Sequence, residues 1–372
     1  MSTARETARD SAARPHFGRT QLLQAAAGLA LSAALLIWGL PRFAQTSWHE
    51  VWAVLTTITV GNALIFLGLV LLGLWSYTLT LSASMPGLSH PRALVMNVCG
   101  SSVSNLLPGG GAVGLAATYA IARSWGISRR VVSTSAIVTG VWNTLARIAL
   151  PLIAIAALTI GRVGMTPVLR DAAIAAMISG TVVVVLFVGA LASERVARRV
   201  GRGLDRLLAP LTRRTKRTMT IDALVTDLRS RILHIVAKGW LPMTLGLVGY
   251  FGFYYLTFVA IMRNTGVELF HGELFAAFAI GRLLTAVGIT PGGMGVTETG
   301  TAAALVAWGA APAEATAGVV LFSIFTHLME VPLGALGWLA WSVIPKATEP
   351  DLTDPDPPPD LPRSRCTPTG SE

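Results

Sequence analysis

The segment PGGGAVGLAATYAIARSWG occupies Pro108 to Gly126, and PGGMGVTETGTAAALVAWG occupies Pro291 to Gly309. Both open on a proline-glycine break, continue through small residues and close on Trp-Gly. A constant offset of 183 positions pairs Pro108 with Pro291, Gly109 and Gly110 with Gly292 and Gly293, and Val113 with Val296. It also pairs Thr118 with Thr301, Ala120 with Ala303 and Trp125-Gly126 with Trp308-Gly309. Farther along, Leu145 meets Leu328 and Leu150 meets Leu333. Glycine and proline are frequent in membrane helices, so single matches carry little. An ungapped run that ends on Trp-Gly reads as an internal repeat.

The surroundings of the repeat are strongly apolar. The chain is 53% hydrophobic and only 13% charged, with mean hydropathy +0.61, against about 25% charged for a soluble domain. Lipid must cover most of such a surface. Uncharged stretches run over Thr20–Pro41, Val51–Ser89, Ala93–Ala122, Ala172–Ser193 and Gly239–Met262, and about 20 such residues suffice to cross a bilayer. The pattern predicts an all-α polytopic membrane protein. Cys99 and Cys366 give no disulfide framework. Residues 1–19 read as a polar cytoplasmic lead, 20–345 as one membrane domain, and 346–372 as a Pro- and Asp-rich disordered tail.

Basic residues collect in short cytoplasmic loops. Arg5, Arg9, Arg14 and Arg19 anchor the lead inside, and twelve basic residues against four acidic ones anchor 194–238. With these two anchors the chain is predicted to make six full spans, near 20–41, 60–83, 131–160, 170–193, 239–262 and 314–344. Pro151 is expected to kink the third. Arg42, Arg162, Arg170 and Arg263 fall outside, while Arg147 and Arg282 fall within the membrane. A straight helix over Ala93–Ala122 would be about 45 Å long, too long for a ~30 Å core. A hairpin that enters, breaks at Pro108-Gly109-Gly110 and leaves on the same side fits both its length and the basic residues Arg123, Arg129 and Arg130 that close it. Residues 270–308 repeat the pattern around Pro291-Gly292-Gly293, three spans later and therefore from the opposite face. The halves, 92–160 and 268–344, are thus expected to form inverted repeats about an axis in the membrane plane, an arrangement of secondary transporters that places substrate sites near the midplane. Glycines at the breaks permit close backbone approach, and freed amides there can face an anionic group.

The run Asn105-Leu106-Leu107-Pro108, the later Pro291-Gly292-Gly293-Met294-Gly295-Val296-Thr297-Glu298 and the span layout resemble the lysylphosphatidylglycerol synthase transmembrane region, a flippase-like integral membrane protein family, over residues 20–345. The resemblance implies movement of a phospholipid or polyprenyl-linked lipid between leaflets. The chain has no room for the transferase domain fused to some members, so translocation without synthesis is expected. Members commonly carry Gly-Glu and a nearby Arg after the first proline. Here Ala112-Val113-Gly114-Leu115 is uncharged, so a headgroup contact from that arm is in question.

Ionisable groups at membrane depth are candidates for function. Arg282 and Glu298 flank the second break on opposite arms of one hairpin, either as an ion pair holding it shut or as substrate contacts. Arg147 and Glu330 occupy equivalent positions, just before Pro151 and Pro332, and are expected to pair across the axis. His327 lies three residues before Glu330 on the same expected helix face. The candidate substrate-binding set is therefore Asn105, Pro108, Gly109, Gly110, Arg147, Arg282, Pro291, Gly292, Gly293, Glu298, His327 and Glu330, with no catalytic or metal residue. Asn97, Tyr119 and Asn143, like Asn105, suit interhelical hydrogen bonding. Residues 194–238, with apolar residues interleaved, read as an amphipathic helix on the anionic inner leaflet.

The leading expectation is a lipid translocator at the plasma membrane, with both termini cytoplasmic, no cofactor and an anionic or zwitterionic headgroup as partner. A lipid-modifying transferase is the first alternative, although no HExxH or Gly-x-Ser-x-Gly motif occurs. A scaffold for lipid-synthesis enzymes is the second. Nucleic acid is not expected, because inner-leaflet topology already explains the net charge of +10.

Overall fold

The computed structural model describes residues 46–106, 110–160, 221–285 and 293–347, with positions 37, 38, 178, 182, 185 and 189. Its elements are α1 (Trp48–Leu55), α2 (Val60–Ser84), α3 (His90–Leu106), α4 (Gly110–Ser124), α5 (Arg129–Ile160), α6 (Ile221–Asn264), α7 (His271–Leu284), α8 (Val296–Ala307), α9 (Pro312–Ser323), a π-helical turn (Ile324–Leu328) and α10 (Glu330–Val343). Among the described residues, four stretches are long and apolar enough to cross a membrane: Val60–Ser84, Arg129–Ile155, Ile235–Asn264 and Pro312–Val343. These match four of the six expected spans. The other two, near 20–41 and 170–193, lie outside the described residues, as do most of 194–220 and the tail. The basic segment's end, from Ile221, is continuous with the span in α6.

The repeat is visible in the elements. Shifting α5 by 183 gives 312–343, the bounds of the α9–π–α10 unit. The shared Trp-Gly is a helix stop. At the end of α4 the Gly126 N–H donates to the Arg123 carbonyl and the Ile127 N–H to the Ala122 carbonyl. At the end of α8 Gly309 donates to Val306 and Ala310 to Leu305. Both are Schellman closures, which need a left-handed residue at the glycine, and φ is +81° at Gly126 and +98° at Gly309.

α2 and α6, which occupy the same place in their repeats, pack along their lengths. They run antiparallel: Asn62 meets Asn264, Thr80 Oγ1 donates to the Met243 carbonyl at 2.9 Å, and Ala83 lies against Gly239. Exchanging the halves turns the pair Asn62/Asn264 into Leu81/Leu245, one residue from the observed contact of Thr80 with Gly246. The same exchange governs the outer contacts. α10 of the second half packs on α3 of the first, and α5 of the first packs on α7 of the second.

Each interrupted segment is a pair of packed helices, α3 with α4 and α7 with α8. In the first, Gly100 faces Thr118 and Gly114, while Ser104 faces Gly110 and Gly114, so the arms are antiparallel. Both outer ends of this hairpin lie at one end of the molecule. There His90 meets Thr78 of α2, and Ser124 meets Trp341 and Ala347 beyond α10. The outer ends of α7–α8 lie at the other, where Arg263 donates to the carbonyls of Val267 and Leu269 and Gly266 faces Glu314 of α9. The second break, between Leu284 and Val296, is wider than the first, between Leu106 and Gly110. The main core joins α6, α7 and α9 through Phe258, Phe278 and Phe322.

The α2–α6 seam depends on small residues. A Cβ at Gly246 would collide with Thr80, coming within 2.7 Å of its backbone nitrogen, whereas one at Gly252 meets nothing within 4 Å. Overpacking costs about 1–3 kcal/mol. Gly246→Ala is expected to lower the thermal midpoint in detergent by several degrees and Gly252→Ala to leave it within a degree. Equal midpoints would contradict the seam.

Candidate functional site

The charged candidates separate into three settings. Glu330, the first residue of α10, is buried. Its Oε2 accepts from Asn105 Nδ2 at 2.8 Å and its Oε1 from the Tyr254 hydroxyl at 3.3 Å. Asn105 Nδ2 also reaches the His327 carbonyl at 3.4 Å. The end of α3 is thereby tied to the turn that joins α9 to α10. That turn is π-helical, with the Met329 N–H donating to the Ile324 carbonyl at 2.8 Å. Pro332 has no N–H for the Leu328 carbonyl and its ring crowds it, which accounts for the local widening.

Arg147 has a different partner. Its Nη1 donates to Thr285 Oγ1 at the end of α7, at 2.9 Å. Among the described residues no ion pair joins Arg147 to Glu330, so the expected direct pairing across the axis is corrected. Each member of the equivalent pair instead bonds a neutral side chain at the inner end of the opposite half's first hairpin arm. The reason is geometric: α5 packs on α7 and α10 packs on α3.

Arg282 and Glu298 form the third setting. Arg282 is 6% exposed, and its guanidinium carbon lies 5.6 Å from the Phe278 ring centre and 5.3 Å from that of Phe322. Such contacts favour a cation held over aromatic faces. Its Nε has no hydrogen-bond partner among the described residues. Glu298 sits in the first turn of α8, accepts from the Gly295 N–H at 2.6 Å and from the Ser323 hydroxyl. It acts as a helix-start carboxylate. No ion pair joins Arg282 to Glu298 among the described residues, so the expected ion pair gives way to separate partners, with both side chains facing one small cavity. His327 faces that cavity too, whereas Glu330 turns to Asn105 and Tyr254. Their expected common face is redirected by the π-helical turn.

Gly110 begins α4 against the Ser104 carbonyl, where a Cβ would collide. Gly293 has φ +77° and packs on Thr285 and Thr297. Pro108, Gly109, Pro291 and Gly292 lie outside the described residues.

Two cavities occupy equivalent places. One, of about 10 Å³, lies between α7–α8 and α9 and includes Thr297, Glu298, Thr301, Val319, Phe322 and Ser323 in its lining. The other, of about 490 Å³, lies between α3–α4, α2 and α5, and Gly114, Leu115, Thr118, Ala136, Thr139 and Gly140 line it. The 183 offset converts each of the latter residues into one of the former, in order. Larger side chains help to fill the second site: Thr for Gly114, Val for Ala136, Phe for Thr139 and Ser for Gly140. An apolar groove of about 550 Å³ lies on α5, α6 and α7, lined by Trp142, Leu145, Leu150, Ile153, Val248 and Phe251 among others. Along α5, residues 132–143 border the cavity and 142–153 the groove.

Sequence reading missed Tyr254, Thr285 and Ser323, which partner the charged candidates. Tyr254 is an aromatic residue within an apolar span, and only its contact with α10 distinguishes it. The repeat offset offers no signal for Thr285, whose counterpart is Ser102.

Among the described residues, four helical stretches long and apolar enough to cross a membrane and two packed helix hairpins in equivalent halves define a multi-pass membrane protein built from an internal repeat. The chain belongs to the lysylphosphatidylglycerol synthase TM region family, whose family model matches residues 25–334. A search of curated proteins finds no match.

Hydrogen bonds to charged groups contribute about 1.5–3 kcal/mol. A double-mutant cycle of Asn105→Ala with Glu330→Ala, read by unfolding in detergent, is expected to show coupling of about 1–3 kcal/mol. The cycle of Arg147→Ala with Glu330→Ala is expected to be additive. Strong coupling in the second cycle would restore the direct pair.

Proposed function

We propose that this protein carries a membrane lipid between leaflets of the plasma membrane, with both termini cytoplasmic, by opening its two equivalent hairpin cavities in alternation. One observation carries the reading: the same site occurs twice, open at about 490 Å³ in the first half and reduced to about 10 Å³ in the second. Inverted-repeat carriers work by letting one half exchange conformation with the other. The antiparallel course of α2 and α6 supports inversion of the halves in the bilayer. The hairpin arms support re-entry: α3, α4, α7 and α8 have 17, 15, 14 and 12 residues, fewer than the roughly 20 that cross a bilayer. Broken backbone at membrane depth is tolerated where it is buried in protein or lines a cavity.

In this mechanism the headgroup enters the cavity beside α4 from the cytoplasmic side. The acyl chains stay in lipid, aided by the groove that continues along α5. Closing the first cavity and opening the second requires Arg282 to leave the faces of Phe278 and Phe322, and the neutral bonds of Arg147 and Glu330 can re-form as α5 and α10 slide on the hairpins. The reading accords with a lipid-related membrane family.

The test copies the second half's residue into the first. Thr139→Phe places the Phe322 counterpart in the open cavity. In proteoliposomes, the rate at which labelled lipid becomes accessible to an impermeant reductant is expected to fall at least ten-fold, with the folded protein recovered normally. Unchanged rates in the variant, or absence of movement by the native chain, would overturn the reading. A new lipid product would favour the transferase instead.

A further inference from the structure

The open cavity has a distinctive chemistry. Its polar lining consists of amides and hydroxyls, from Asn97, Asn105 and Asn143, Tyr77, Ser101 and Thr118. No charged side chain is among the described residues that line it. Two buried ions on neighbouring elements are engaged elsewhere. Glu330 is buried behind Asn105, with each carboxylate oxygen bonded, and Arg147 is turned to α7.

The amides are only partly used. Asn105 and Asn143 each donate to protein, Asn143 to the Tyr77 hydroxyl at 2.8 Å and to the Thr139 carbonyl at 2.9 Å, which leaves each side-chain carbonyl able to accept. The Tyr77 hydroxyl accepts from Asn143 and retains its own proton to donate. Asn97 is half-buried and faces the cavity, and its side chain makes no hydrogen bond to a described residue. One asparagine side chain offers a donor and an acceptor side by side, the complement of a hydroxyl pair. Moving a charged headgroup into such a place would leave the charge without a counter-ion, a large penalty at low dielectric.

We infer that the open cavity recognises an uncharged, hydroxyl-rich lipid headgroup, that of a glycosyl diacylglycerol or a related sugar lipid, in preference to an anionic or zwitterionic phospholipid. The assignment rests on the reading of this cavity as the headgroup site. It separates the lipid class from the family's name: the second cavity carries Arg282 and Glu298, whereas the first presents neutral donors and acceptors in a volume suited to a small polar ligand, within the roughly 300–1,000 Å³ of binding pockets.

The test is equilibrium binding, independent of transport. The purified full chain is held in a polyoxyethylene detergent, which has no sugar to compete, and titrated with monoglucosyl diacylglycerol or with phosphatidylglycerol of identical acyl chains. The concentration giving half-maximal thermal stabilisation is expected to be at least ten-fold lower for the glucosyl lipid. Asn97→Ala, which breaks no side-chain hydrogen bond to the described residues, is expected to erase most of that preference without moving the unliganded midpoint, and Tyr77→Phe to reduce it. Equal affinities, tighter phosphatidylglycerol binding, binding of neither lipid, or a preference untouched by both variants would overturn the assignment. A glucosyl preference with no leaflet exchange in proteoliposomes would remove the carrier reading alone; exchange of all lipids at equal rates, with equal affinities, would remove the headgroup assignment alone.

Discussion

Two helices that hold the same place in their repeats run past each other in opposite directions, and small residues let them touch. Gly246 and Gly249 of α6 sit on Thr80 and Ser76 of α2, and the Asn62–Asn264 contact closes the other end. Lipid offers helices no hydrophobic reason to associate, so close van der Waals approach and interhelical hydrogen bonds do that work. Antiparallel contact between equivalent spans leaves one geometry for the rest: each hairpin must begin and end at the opposite end of the molecule from its counterpart. The exchange of partners, α5 on α7 and α10 on α3, follows from the same axis.

Charge within this apolar frame is held locally and asymmetrically. Glu330 meets an amide and a phenol, Arg147 a hydroxyl, and Arg282 two aromatic faces. Neutral partners hold an ion less rigidly than a counter-ion does, and the Glu330–Asn105 and Arg147–Thr285 contacts join elements of different halves. The asymmetry extends to the cavities. The first half keeps glycine, alanine and threonine where the second has threonine, valine and phenylalanine, so equivalent sites differ in volume and in chemistry.

Much of this architecture was legible in the sequence, because the deciding features are local. Uncharged length marks the spans, proline and glycine mark the breaks, and Trp-Gly marks the ends of α4 and α8 through a left-handed glycine that few other residues tolerate. The offset even predicts that α5 and the α9–π–α10 unit are counterparts. What was not legible depends on which helix faces which. Arg147 and Glu330 share a repeat position, and that symmetry suggested a pair; the packing gives each a partner from the other half. Likewise Arg282 and Glu298 flank one break, yet Glu298 closes on the start of its own helix. The π-helical turn before Pro332 separates His327 from Glu330, and periodicity alone does not reveal such an insertion. Asn97 looked like its fellow asparagines in the sequence, and only the cavity distinguishes it from Asn105 and Asn143.

The most direct measurement places single cysteines at the outer ends of both hairpins, at Ser89 and Ser128 for the first and at Phe270 and Ala311 for the second, in the full chain with Cys99 and Cys366 replaced by serine. An impermeant thiol reagent applied from one side of sealed vesicles should modify Ser89→Cys and Ser128→Cys together, and Phe270→Cys and Ala311→Cys only from the other side. Labelling of the two ends of either hairpin from opposite sides, or of all four positions from one side, would contradict two inverted halves.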